Sequence, residues 1–269
     1  MTGVAGVMAL VLAEAMAGAT VFLWVGPLWS EVKRGFFKLL GAILTVLAVL
    51  TWLSVEAGVG GPRGFVNEEI LRVSTVAAAV ITAAWTALLF ARQPRGARIL
   101  GLLSVPAWLN VLVWMAGTGR QSFALALFQL AAGAALLGAS TDGLLLGHWY
   151  LTDRKLARRP IDRVTTVLLA SVGAAAIAVI SAGFSGVEAS TAINPLLTVG
   201  ALAPWIALGM VAATGLIAGF IKAVLKGERA SAVQSATGFY YLAVVTAFTA
   251  EVAVKTRFLD IALGPATPS

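Results

Sequence analysis

LLGAILTVLAVLTWL, residues 39–53, carries no charged side chain and is apolar on every face. A membrane-crossing β-strand would alternate polar and apolar residues over about 10 positions, whereas a helix exposed to lipid has no such alternation. A bilayer core of roughly 30 Å takes about 20 helical residues to cross. Apolar runs of this kind recur down the whole chain. The 269 residues are 59% hydrophobic and only 12% charged, with a mean hydropathy of +0.93, a composition far from that of a soluble domain. The fold class read from these features is an all-α integral membrane protein, one polytopic domain over residues 1–269.

Eight spans are expected, at 3–29, 36–55, 72–91, 99–117, 122–150, 164–184, 194–221 and 235–254. The seventh carries Asn194-Pro195 at its start and Pro204 inside, so a kink or tilt is expected there. The first span lacks a basic n-region and is too long for the apolar part of a cleaved signal peptide.

The 19 lysines and arginines set the orientation, because cytoplasmic loops collect positive charge. The loops after spans one, three, five and seven hold Lys33, Arg34 and Lys38; Arg92, Arg95 and Arg98; Arg154, Lys155, Arg158, Arg159 and Arg163; and Lys222, Lys226 and Arg229. The other side has Arg63, Arg72 and Arg120, with Lys255 and Arg257 in the tail. The reading is a multi-pass protein of a bacterial-type plasma membrane, odd-numbered loops cytoplasmic and both termini outside. The formal charge of +7 is thereby assigned to topology and to anionic head groups, and not to nucleic acid.

No cysteine is present, which excludes disulfides, thiolate metal sites and thiol nucleophiles. A single histidine, His148, excludes a bis-histidine haem and any multi-histidine metal centre. A His/Met haem would have to draw on Met16, Met115 or Met210. No metal site and no cofactor held by this chain alone is expected, and no phosphate-binding or dinucleotide motif occurs.

Residues 20–34, TVFLWVGPLWSEVKR, align with 141–155, TDGLLLGHWYLTDRK. Thr20, Leu23 and Gly26 meet Thr141, Leu144 and Gly147, and Trp29 meets Tyr150. Spans one and five would both end here, each opening a set of four helices. A duplicated even-numbered set keeps its orientation, so the expected halves, 1–121 and 122–269, would form a parallel repeat. Asp142 and His148 stand where the first copy has Val21 and Pro27.

Ionisable residues inside spans are costly and are functional candidates by default. They are Glu14, Asp142, His148 and Glu251. Glu251 is expected near the outer surface, with Lys255 at i+4 as its partner. Asp142 and His148 are six residues apart, about 120° around a helix, so they do not face each other. His148-Trp149-Tyr150 also has the composition of an aromatic belt at a membrane exit.

Two functions follow. In the first, Asp142, His148, Trp149 and Tyr150 bind a quinone-like lipophilic ligand near the cytoplasmic interface, in a membrane subunit whose redox centres sit on partner proteins of a respiratory complex. In the second, Glu14 and Asp142 form a proton path in a proton-coupled small-solute transporter or ion channel. A third reading is a structural or assembly protein with no site.

Overall fold

The computed structural model describes residues 1, 3–25, 28–59, 68–118, 122–153, 155–183, 199–227 and 230–263. Among them the regular elements are all helical: α1 Gly3–Val25, α2 Leu28–Glu31, α3 Arg34–Gly58, α4 Glu68–Phe90, α5 Pro94–Ala116, α6 Phe123–Thr152, α7 Arg159–Gly183, α8 Val199–Leu225 and α9 Ala230–Leu263. All but the four-residue α2 are long and apolar enough to cross a bilayer, which makes eight spans.

Helix starts follow local chemistry. The Ser122 hydroxyl caps α6 by accepting from the Leu125 N–H at 3.4 Å. Glu68 and Glu69 occupy the first turn of α4, where the helix dipole favours negative charge. Pro94 opens α5, where its missing N–H costs nothing. Within the spans, threonine hydroxyls turn back on their own helices, as Thr20 does to the Met16 carbonyl at 2.8 Å and Thr82 to Ala78 at 2.9 Å. That bond satisfies a polar group where no water is at hand.

The helices differ from the expected spans by up to about five residues at several ends. Span one, expected over 3–29, is helix Gly3–Val25 followed by the single turn Leu28–Glu31. The eighth crossing segment, expected to stop at 254, ends at Thr256, while its helix α9 runs on to Leu263. Asn194-Pro195, Arg63, Arg120, Arg154 and Arg229 lie outside the described residues. Pro204 lies inside α8.

Two helices form the centre. Of its apolar window, α1 buries 83% and α6 61% inside the bundle, against 28% to 39% for the other six spans. Around them each half closes on itself in the same way. Helix α1 packs on α3, α3 on α4, α4 on α5 and α5 back on α1, while α6 packs on α7, α7 on α8, α8 on α9 and α9 back on α6. The halves meet through α1 against α6, flanked by α1 on α9 and α5 on α6.

Glycine sets how close the central pair comes. A Cβ on Gly18 would lie 1.8 Å from the Ala134 carbonyl oxygen, and one on Gly138 would lie 2.3 Å from the Gly18 carbonyl carbon. The two backbones are therefore in contact, a packing that only small residues permit. Towards the helix starts, Glu14 of α1 faces Gly133 of α6. Position numbers fall together on both helices, so α1 and α6 run parallel.

One end of the bundle gathers charge. Lys33 pairs with Asp153 at 2.9 Å, Arg163 with Glu31 at 3.3 Å and Lys222 with Asp162 at 2.7 Å. Arg158 donates to the Gly227 carbonyl, and the Lys38 ammonium sits 5.3 Å from the centroid of Phe90. Connections after spans one, three, five and seven thus share this basic end.

Candidate functional site

Three ionisable side chains from two helices meet inside the bundle. Lys255 Nζ of α9 lies 2.6 Å from Glu14 Oε1 of α1 and donates to Glu251 Oε2 on its own helix at 3.1 Å. The side chains of Glu14 and Lys255 are fully buried and that of Glu251 is 3% exposed. The third wall is Gly133 of α6. A Cβ placed there would lie 2.5 Å from Glu14 Oε1 and 2.7 Å from Glu251 Oε2, so the two carboxylates converge on space that any larger residue would fill.

Two of these placements correct the sequence reading. Lys255 was counted in the outer tail, but it is enclosed where α9 runs on past it to Leu263. Glu251, expected near the outer surface, is buried and shares Lys255 with Glu14 of α1. Two carboxylates take up the charge of Lys255, so a lysine does not mark a helix end here.

The triad has an odd charge. With all three groups ionised it carries −1, and an uncompensated charge at this depth is expensive. A single added proton on either carboxyl makes the cluster neutral. Glu14 Oε2 has no hydrogen-bond partner among the described residues and is one place where that proton could sit.

Asp142 stands apart from this cluster. It is fully buried, and neither of its oxygens has a hydrogen-bond partner among the described residues; the neighbouring Thr141 hydroxyl also lacks one. It follows Gly138 by four residues and so shares the stripe of α6 that faces α1. The adjoining stripe faces α9: a Cβ on Gly143 would lie 2.0 Å from the Tyr240 ring, and one on Gly147 would lie 2.7 Å from the Thr237 hydroxyl. Tyr240 is itself held by a 2.8 Å hydrogen bond to Thr165 of α7.

The four residues expected to share a lipophilic-ligand site have different surroundings. Asp142 is enclosed and His148 is exposed. Trp149 packs on α3, its ring 6.3 Å from that of Phe36 and against Gly35. The Tyr150 hydroxyl donates to the Ala157 carbonyl and fastens the segment that follows α6. Just beyond lies a cleft of about 510 Å³ at the basic end, lined by Glu31, Lys33, Asp153, Lys155, Arg159 and Pro160 among others.

Glu14 was visible in the sequence as an intramembrane carboxylate, and the Glu251–Lys255 spacing was visible as a helical pair. Their union was not, because nothing local signals that a residue of the last helix reaches the first. Gly133 carried only the signal of a small residue within ALALFQLAAGAALLGAS. No family model, curated protein or solved structure matches the chain.

Proposed function

We propose that this protein moves protons across a membrane, in a proton-coupled transporter or ion-conducting role, with Glu14, Glu251 and Lys255 as the proton-binding centre. The observation that carries this reading is the fully enclosed triad of two carboxylates on one ammonium. An apolar membrane bundle gains no needed stability from such a group, since buried ion pairs are often no better than apolar packing. What the triad adds is a change of charge state by one proton, in the middle of the bilayer, between helices of the two halves.

The mechanism uses this chain's own residues. Lys255 holds the two carboxylates at one place and limits the charge swing to one unit, from neutral to −1. Gly133 keeps the third side open for the carboxyl groups. The two four-helix halves, which we take to be copies of one ancestral unit, provide two bodies whose relative movement could expose the triad to one side and then the other. A quinone site at the basic end is less well supported, because Asp142, His148 and Tyr150 place their polar atoms in three separate surroundings.

The test is proton flux in proteoliposomes that contain the purified chain and a trapped pH-sensitive dye. A potassium diffusion potential drives the flux, and candidate small solutes are added in turn. Wild-type protein is expected to acidify or alkalinise the lumen, and Glu14→Gln is expected to be silent while remaining folded. Silence of the wild type at every gradient and with every solute would remove the reading.

A further inference from the structure

Asp142 is a buried carboxyl group that the triad does not use. From Gly133, which walls the triad, to Asp142 is nine residues of α6, or about 14 Å along the helix axis. A direct proton hop needs donor and acceptor within hydrogen-bond reach, or one water between them. Between the two levels stands Gly138, about 6 Å from the level of Asp142, where α6 touches the backbone of α1 at Gly18. Peptide groups already in contact leave no room for a water chain on that face. Asp142 itself is fully buried, and neither of its oxygens has a hydrogen-bond partner among the described residues, so nothing there ties it to one protonation state.

We infer that Asp142 is a second proton-binding site, in series with the triad on the side of the basic end, and that it exchanges protons with the triad only when the Gly18–Gly138 crossing parts. The inference rests on the proton-transport reading above and makes it more specific. In one direction of movement the proton leaves the Glu14 or Glu251 carboxyl, which becomes a carboxylate, and binds the Asp142 carboxylate, which becomes neutral. The summed charge of the core is unchanged by the step. Asp142 then releases its proton towards the basic end. A wire that is broken at rest makes the protein a coupled carrier and not an open channel, because each transfer requires the two halves to shift against each other.

The test uses the absence of cysteine from the chain. Lys33 and Asp153 form a 2.9 Å ion pair that joins the halves at the basic end. In a Lys33→Cys/Asp153→Cys protein, a reducible bis-thiosulfonate cross-linker would tie them. Flux is expected to fall at least tenfold on cross-linking and to return on reduction, and the return shows that the fold was intact throughout. Asp142→Asn is expected to lose flux to the same extent, with recovery in Asp142→Glu. Unchanged flux through the cross-linked protein, or full flux in Asp142→Asn, would overturn the inference while leaving the triad reading in place. A silent wild type would instead overturn the transport reading and this one together.

Discussion

Lys255 Nζ lies 2.6 Å from Glu14 Oε1, so a salt bridge buried in the membrane ties the last helix of the second half to the first helix of the first. The charge count around that bond gives unequal consequences for its members. Lys255→Met leaves Glu14 and Glu251 facing each other with no cation, and breaking a buried pair in this way costs about 3–5 kcal/mol. Glu14→Gln leaves the Lys255–Glu251 pair intact and neutral, and is expected to cost clearly less than Lys255→Met. The triple variant Glu14→Gln/Glu251→Gln/Lys255→Met should recover most of what Lys255→Met loses. Denaturant or thermal unfolding in detergent reads all three, and equal losses in Lys255→Met and Glu14→Gln would contradict the odd-charge account.

The glycines divide by what surrounds them. Gly173→Ala in α7 meets nothing within 4 Å and removes backbone freedom from the unfolded chain, so it should stabilise by about 0.5–1 kcal/mol. Gly18→Ala sets a methyl group 1.8 Å from a carbonyl oxygen, which belongs to backbone and cannot turn aside. Overpacking of this kind costs about 1–3 kcal/mol, and the rigid neighbour points to the upper part of that range. Gly133→Ala meets the ends of two glutamate side chains, which can shift, so it should cost less stability than Gly18→Ala but lose proton flux, since it displaces both carboxylates from Lys255. The comparison of melting temperatures with flux separates the two kinds of crowding.

Much of the bundle was legible from composition alone, because lipid demands helices and each apolar run declares one. The errors came where a charge was read as an ending. Lys255 counted in the sequence as part of the outer tail, whereas helix α9 continues past it to Leu263 and encloses it. Depth, pairing partners and which face of α6 meets α1 are properties of packing between distant segments, and no local pattern encodes them.

Orientation is open to direct labelling. Gln93, Ala157 and Lys226 are exposed at the basic end, and Ala57 and Glu69 are exposed at the other. Single cysteines at the first three are expected to resist a membrane-impermeant maleimide applied to intact cells, and cysteines at the last two are expected to react. The basis is the excess of lysine and arginine in the loops at the basic end, because cytoplasmic loops collect positive charge. The reverse pattern would invert the direction of the proposed path without moving its residues.

His148 and Tyr150 separate the transport reading from the lipophilic-ligand reading. His148 is exposed at the end of α6, so His148→Ala is expected to leave both the fold and proton flux unchanged. Tyr150→Phe removes the hydrogen bond to the Ala157 carbonyl and should cost about 0.5–1.5 kcal/mol of stability, again without loss of flux. A quinone site would behave otherwise: His148→Ala and Asp142→Asn would both abolish turnover, and a quinone analogue would protect the protein from unfolding in a manner that His148→Ala removes. Flux that survives His148→Ala and fails in Asp142→Asn assigns the buried carboxyl to the proton path and the histidine to the membrane interface, where its neighbour Trp149 already packs on α3.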